Sequence, residues 1–452
     1  MSQVARQSGL TVNNRREIFG WTMYDWANSG FQTTVLTVFS GPYLTALAGR
    51  AVGDNGLIFR LGPLLVTAKS FFPFCIGLSV LLQVFLMPVL GAFADDSNQK
   101  KPLMAAGCYT GSAAACLLVT ITERNYLLGG ALLIVANLCF GASLVLYNAF
   151  LNDIATADLR DRVSSRGYAL GYLGGGVLLL ANLMLLQNAM RFGISDALAV
   201  RLSLGSAGLW WGGFSTVTFR RLRSRPRPAA QASKVPLVAH WLREAAGAWQ
   251  ALGQLPQTVR YLLSYMCFND GIQTVISMTA VFLSQELFIA RGLPDNPSFL
   301  VSLILMIQFV AFFGAELFAR VAAAIGAKRA ILLSLVLWTG TIVYAYGWLR
   351  TTTDAWMLGA VIAVVLGGSQ ALSRSLFSQM VPRGREAAFF GVYEISERGT
   401  SWMGPVLFGV VVAATNSYRQ AMLSLIVLFI AGTIGLLLTD TDQAIRDANR
   451  AG

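Results

Sequence analysis

Charge is scarce in this chain. Only 12% of its 452 residues are Asp, Glu, Lys or Arg, while 55% are hydrophobic. A water-soluble domain carries roughly twice that charged fraction, so a soluble enzyme of two or three globular domains is excluded. Histidine occurs once, as His240 in a polar stretch, which leaves no histidine zinc site and no histidine proton relay. The five cysteines, Cys75, Cys108, Cys116, Cys139 and Cys267, all sit in apolar stretches with no CxxC spacing. They read as small buried hydrophobes rather than disulfides or metal ligands. With no phosphate-binding glycine loop and no nucleophile beside a histidine, catalysis has no support, and neither a cofactor nor a metal is expected. The chain is basic, with 34 Lys and Arg against 22 Asp and Glu. Those basic residues lie between apolar runs and form no tract that could follow a phosphate backbone, so nucleic acid is not an expected partner.

What remains is hydrophobic sequence in lengths that fit a membrane. A bilayer core about 30 Å thick needs roughly 20 apolar residues per helix, and the pattern predicts helices near 19–47, 70–93, 103–121, 126–149, 167–187, 197–219, 259–285, 298–320, 330–349, 355–379, 388–413 and 418–438. The expected fold class is therefore an all-α, multi-pass integral membrane protein with twelve transmembrane helices. The first apolar run has no small-residue cleavage site, so its helix is expected to be retained. Of the 34 basic residues, 23 fall on the side of the membrane that holds both termini and nine on the other. By the positive-inside rule both termini should be cytoplasmic, in a bacterial cytoplasmic membrane. One long connector, 220–258, carries RRLRSRPRP and an amphipathic stretch, and reads as a linker lying on anionic lipid. It divides the chain into a six-helix bundle, 1–219, and a second, 259–452.

The halves repeat. Asn28-Ser29-Gly30-Phe31-Gln32-Thr33 in helix 1 answers Asn269-Asp270-Gly271-Ile272-Gln273-Thr274 in helix 7, 241 positions later. Gly91-Ala92 at the end of helix 2 answers Gly314-Ala315 at an offset of 223, and Gly167 in helix 5 answers Gly391 in helix 11 at 224. The change of 18 places an insertion in the first outer loop, around 49–67. Two six-helix halves of like orientation imply a pseudo-twofold axis along the membrane normal with a cavity between them, which points to solute transport by alternating access.

These features resemble the major facilitator superfamily along the whole chain. Gly91-Ala92-Phe93-Ala94-Asp95 followed by Lys100-Lys101 is similar to that superfamily's signature after helix 2, which implies a gating part for Asp95; Asp96 and Asn98 depart from the signature. Three segments resemble the autophagy-related vacuolar effluxer branch: Tyr24-Asp25-Trp26-Ala27-Asn28-Ser29, then Gly167-Tyr168-Ala169-Leu170-Gly171-Tyr172-Leu173-Gly174-Gly175, then Gly368-Ser369-Gln370-Ala371-Leu372-Ser373-Arg374-Ser375. That resemblance implies export of amino acids. A sugar or other organic-solute permease is the alternative within transport; a nontransporting receptor or a lipid-handling protein is the alternative outside it.

Polar groups left inside hydrocarbon are costly, and those retained are functional candidates. Tyr24, Asn28 and Gln32 recur every fourth residue and share a helix face, and Asn269 with Gln273 repeats the pattern. Amides both donate and accept, which suits a small zwitterionic or polyhydroxyl solute; the competing reading is hydrogen bonding between helices. Asn148 and Gln370 join this expected substrate set, and so does Arg374, which could meet a substrate carboxylate through paired bonds or a cross-helix acid, Glu394 or Glu397. At ~1.5 Å per residue, Asp25 lies about 10 Å into helix 1 and Asp270 about 15 Å into helix 7. Both are candidates to carry protons during the cycle. Glu316 with Arg320, and Glu394 with Arg398, are spaced as i, i+4 pairs and with Glu397 read as an inner gate. The expected partners are thus a polar solute, membrane lipids and protons.

Overall fold

The computed structural model describes residues 12–53, 56–61, 64–97, 99–225, 246–247, 249–294, 297–399 and 403–451. Among these, nine helices are long and apolar enough to cross a bilayer. They are α1 (Arg15–Val52), α2 (Ala68–Ser97), α3 (Lys100–Thr120), α4 (Glu123–Ile154), α5 (Ala157–Gln187), α8 (Phe299–Ile325), α9 (Ala327–Gly347), α10 (Thr352–Gln379) and α12 (Tyr418–Leu438). A tenth, α7 (Pro256–Leu287), bends by 50° near its far end. The twelve expected passages are completed by α6 (Asp196–Arg221), whose glycines, serines and tryptophans dilute its apolarity, and by α11. The latter consists of Glu386–Glu394, a π-helical stretch Ile395–Gly399, and Met403–Thr415. A short amphipathic α13 (Thr441–Ala451) follows, with Ala444 and Ala448 buried.

Local chemistry sets several of the boundaries. Asn14 caps α1 by accepting from the Arg16 and Glu17 amides, as short polar side chains do at helix starts. A π-helical stretch, Gln32–Phe39, interrupts α1 midway; such stretches are frequent at functional sites. α5 begins ten residues earlier than the hydropathy suggests, because ADLRDRVSSR is helical but polar and extends beyond the apolar zone. The insertion after α1 is not an irregular loop: β1 (Leu57–Leu61) and β2 (Leu64–Thr67) pair as an antiparallel hairpin, a small exception to the all-helical expectation. Residues 226–245 and 248, most of the expected amphipathic linker, lie outside the described residues. Its first residues are anchored, with the Arg225 guanidinium donating to both Glu17 oxygens, at 3.0 and 2.8 Å, and the Arg223 amide donating to Glu17 Oε1 at 3.1 Å.

In the first half α1 packs on α5 and α6, α3 on α4 and α6, and α2 on α4; in the second, α8 packs on α10 and α7 on α12. The halves meet along two seams, α5 against α8 and α10, and α2 against Glu386–Glu394 of α11. Exchanging the halves turns the α2–α11 contact into the α8–α5 contact, as a twofold axis between the bundles requires. On the α2–α11 seam the backbones nearly touch. A Cβ on Gly91 would lie 2.2 Å from the Ala387 carbonyl oxygen, and one on Gly391 would lie 2.8 Å from that of Met87. No other residue fits without displacing the backbone.

Candidate functional site

The two bundles enclose a cavity of about 250 Å³. Its walls differ in chemistry. The first bundle contributes Asp25, Asn28, Ser29, Gln32, Thr33 and Thr37 from α1, Asn148 from α4 and Tyr168 and Tyr172 from α5, beside the apolar Phe140 and Leu144 of α4 and Gly171 of α5. The second contributes a mostly aliphatic wall, with Ile276, Leu283, Leu300, Leu303, Ile304, Ile307, Ile362 and Leu366, broken by Gln273, Thr279, Gln308, Gln370, Arg374 and Glu397. Leu283 and Leu300 lie within a turn of the ends of α7 and α8, so the cavity reaches toward the face opposite the termini.

At its inner end an ion pair joins the bundles. Arg374 on α10 donates from Nη1 and Nη2 to Asp25 Oδ2 on α1, at 3.4 and 3.3 Å. Its Nη1 also reaches Asn148 Oδ1 at 3.3 Å, Nη2 the Ser164 carbonyl at 2.9 Å and Nε the Ser164 hydroxyl at 2.9 Å. All five guanidinium hydrogens are thereby engaged. The planar cation also lies over Tyr168 at 4.3 Å and Trp21 at 4.9 Å from their ring centroids, contacts that favour a desolvated cation. Asp25 takes a third bond on the same oxygen, from the Tyr147 hydroxyl at 2.6 Å, while Trp21 stacks on Tyr147 and donates to its carbonyl. Asp25 and Arg374 are 7% and 2% exposed. A pair so far from water holds only with this many partners.

Beyond the pair, toward the termini, the seams are shut. The Ser164 hydroxyl donates to the Ala371 carbonyl at 2.7 Å and Arg160 Nη1 to that of Ser378 at 3.2 Å. Asp95 at the end of α2 accepts from the Ala388 amide in the first turn of α11 at 3.0 Å, where the helix terminus favours an anion. Lys100 stands 3.2, 3.7 and 3.6 Å from Asp95, Asp153 and Glu386, one cation among carboxylates of both bundles. The cavity is closed on the terminal face and extends toward the opposite one.

Sequence reasoning placed some of these residues and misplaced others. Asn28, Gln32, Gln273, Asn148, Gln370, Asp25 and Arg374 come together at the cavity. Tyr24 does not: it is fully buried in the first bundle, tilted against the Tyr147 ring. Asn269 turns toward α11 and donates to the Glu397 carbonyl at 3.0 Å. Asp270 accepts from the Gly404 amide at 2.7 Å, capping Met403–Thr415 instead of facing the cavity. The acid that meets Arg374 is Asp25, not Glu394 or Glu397, and Glu397 lines the cavity rather than the closed seam. Glu394 is buried near the inner end of α11. Glu316 and Arg320 form no ion pair among the described residues: Arg320 points to the exterior, where an isolated i, i+4 pair gains little. The side chain of Arg398 lies outside the described residues. Asn137 on α4 ties α4 to α2, donating to Ser79 Oγ at 2.6 Å while its backbone carbonyl accepts from Gln83.

Gln308 was missed, although it is a lone amide in the run LILMIQFVAFF and meets the same criterion as Gln32. It bridges the bundles by donating to Thr33 Oγ1 at 2.9 Å. Glu386 and Lys100 were missed as a cross-bundle pair because both stand at helix ends, where charge is ordinary.

Two pseudo-symmetric helical bundles around a central polar cavity define a membrane transporter of the major facilitator type. The chain belongs to the family described as "Vacuole effluxer Atg22 like", which matches residues 13–449. It is 29% identical to the uncharacterized MFS-type transporter YxiO of Bacillus subtilis over 94% of this chain and 97% of the relative. It is 26% identical to autophagy-related protein 22-1 of Penicillium rubens over 97% and 92%. Among solved structures it resembles the human organic anion transporter MFSD10, with a TM-score of 0.67, 14% identity and coverage of 93% and 99%. It also resembles the transporter FucP in the outward conformation, with a TM-score of 0.66, 11% identity and coverage of 94% and 98%. At those identities the structures speak for the fold alone. The protein is a multi-pass membrane transporter, not an enzyme.

Proposed function

We propose that this transporter exports amino acids by alternating access, coupled to protons through Asp25. The carrying observation is the Asp25–Arg374 pair at the inner end of the cavity. It offers one anionic and one cationic partner at the place where a zwitterion would have to be recognised. A substrate ammonium group takes Asp25, and its carboxylate takes the N–H groups that Arg374 now gives to Asp25. The ion pair across the bundles is exchanged for two ion pairs to the substrate, so little charge is left unpaired. Protonation of Asp25 has the same consequence for the seam, since it removes the charge that holds Arg374 across the interface. The aliphatic second wall then receives the side chain, so the favoured amino acids are those with apolar side chains.

The sidedness follows from the loop charges: the face with 23 basic residues is cytoplasmic, in a bacterial inner membrane. The closed seam is then the cytoplasmic one, and the state described is outward-facing. A second reading, a sugar permease, is favoured by the six cavity amides Asn28, Gln32, Asn148, Gln273, Gln308 and Gln370. Thermal shift of the purified protein separates the two, because a bound solute raises Tm with the logarithm of its saturation. Stabilisation by an apolar amino acid, but not by its N-acetyl or methyl-ester derivative, is expected. Stabilisation by sugars alone would reverse the reading. Proton coupling is tested in proteoliposomes, where solute flux indifferent to an imposed pH gradient would remove it.

A further inference from the structure

The carboxylate on α7 that misses the cavity is buried with an oxygen to spare. Asp270 is 1% exposed, and while its Oδ2 takes the Gly404 amide, its Oδ1 has no partner. Its neighbour Asn269, wholly buried, spends its Nδ2 on the Glu397 carbonyl and leaves Oδ1 unpartnered. One turn on, the buried Thr274 hydroxyl is unpartnered too. Positions 270 and 274 share a face of α7, and both converge on Gly404. Asp270 does so by its hydrogen bond, Thr274 so closely that a Cβ on Gly404 would fall 2.0 Å from Thr274 Oγ1.

Three unpartnered buried oxygens within six residues of α7 are unusual, since buried polar atoms nearly always find a partner. A carboxylate held in the membrane interior also needs a neutralising charge, and among the described residues no basic side chain forms an ion pair with Asp270. The set is all hard oxygen, with no histidine or thiolate, which disfavours transition metals. Its single carboxylate balances one positive charge, whereas divalent sites recruit several.

We propose that Asp270 Oδ1, Asn269 Oδ1 and Thr274 Oγ1 bind a small monovalent cation of sodium's size. The cation would brace α7 against α11 beside Glu397, which lines the cavity. Its bearing on transport rests on the transporter reading above; its existence does not.

The test uses the purified full-length protein, with Tm measured in sodium, potassium and choline chloride at equal ionic strength. Sodium should raise Tm by about 2 °C or more over choline. The sodium concentration giving half of that rise should increase at least about tenfold in Asp270→Asn and in Thr274→Val, a loss of ~1.4 kcal/mol of binding. Thr274→Val is nearly isosteric and keeps the test decisive if Asp270→Asn does not fold. Equal Tm in all three salts would overturn the proposal, as expected if a water or a proton satisfies these oxygens instead. So would a sodium response unaltered in both variants, or a response that follows pH and not sodium. A sodium response in a protein that no amino acid stabilises would uphold the cation site while the transport reading failed.

Discussion

α1 and α7 open the two bundles with nearly the same polar sequence, yet they use it differently. At the offset of 241, Gln32 and Gln273 are equivalent and both face the cavity. Asn28 and Asn269 are equivalent too, but only Asn28 lines it; Asn269 is bonded to α11. Asp270 corresponds to Ser29, not to Asp25, and caps a helix. The cavity stripe on α1 starts at Asp25, whereas on α7 it starts at Gln273 and continues through Ile276, Thr279 and Leu283. Duplication preserved the residues while the packing of α7 against α11 and α12 redirected one turn of them. The copies thus became a polar first wall and an aliphatic second one, with one charge from each meeting between.

The severest way to break this comparison is to disturb that meeting. Arg374→Lys keeps the charge, but a single ammonium cannot reach Asp25, Asn148 and Ser164 together or lie flat on Tyr168. Charged hydrogen bonds of this kind are worth ~1.5–3 kcal/mol each, so kcat/KM for solute flux in proteoliposomes should fall about tenfold to hundredfold. A variant within twofold of the parent would mean that the pair is a bystander.

The repeat also diverges at Gly91 and Gly314, equivalent in sequence. Gly91 meets Ala387 across the bundles, while Gly314 meets Val364 inside the second bundle, 2.5 Å from its carbonyl oxygen to an added Cβ. Gly91→Val should therefore disfavour closure of the terminal face. Spin labels at the inner ends of α2 and α11 should report a longer distance, and flux should fall about tenfold if closure of that face costs an extra ~1.4 kcal/mol. Gly314→Val should lower Tm without changing that distance. An equal change in distance for both glycines would erase the distinction between the seams.

A smaller effect sharpens the α1–α7 difference itself. Gln273→Ala removes a cavity amide and should raise KM about threefold to tenfold, for roughly one hydrogen bond of ~0.5–1.5 kcal/mol. Asn269→Ala should leave KM near the parent value and lower Tm instead, because its bond is to the α11 backbone. A KM effect from Asn269 would place it at the cavity in another state of the cycle.

How much of this was legible in the sequence depends on what each feature needs. Twelve passages and a two-bundle fold follow from hydropathy and repetition, since burial in lipid imposes them segment by segment. The seven cavity residues expected from sequence are legible because an amide or charge amid apolar residues has few innocent explanations, and Gln308 satisfies the same rule. The face on which a polar residue lands was not legible to within one turn. Tyr24 lies in the regular helix Arg15–Phe31, ahead of the π-helical stretch, where each i, i+4 step drifts by ~40°, and the packing of α7 is a tertiary fact, so a strict fourth-residue stripe through Tyr24 and Asn269 does not coincide with the cavity wall. Nor could spacing pair Asp25 with Arg374, which stand 349 positions apart and meet only because the bundles close on that end.

Tyr24→Phe is the mildest test and the most direct check on that one-turn error. The Tyr24 hydroxyl is buried among Ser143, Trp211 and Cys108 without a well-formed hydrogen bond, and its ring sits 5.0 Å from that of Tyr147 and 6.3 Å from that of Phe219. Removing the oxygen keeps the aromatic packing and relieves an unsatisfied group, a change that ought to be neutral or to stabilise by up to ~1 kcal/mol. Tm should hold or rise by a degree or two, with KM unchanged. Asn28, four residues on, should behave oppositely when truncated to Ala, because its side chain is part of the wall. If instead Tyr24→Phe raised KM as Gln273→Ala does, the α1 stripe would have to include Tyr24 in the state that binds solute, and the regular part of α1, Arg15–Phe31, would have to turn about its axis during transport.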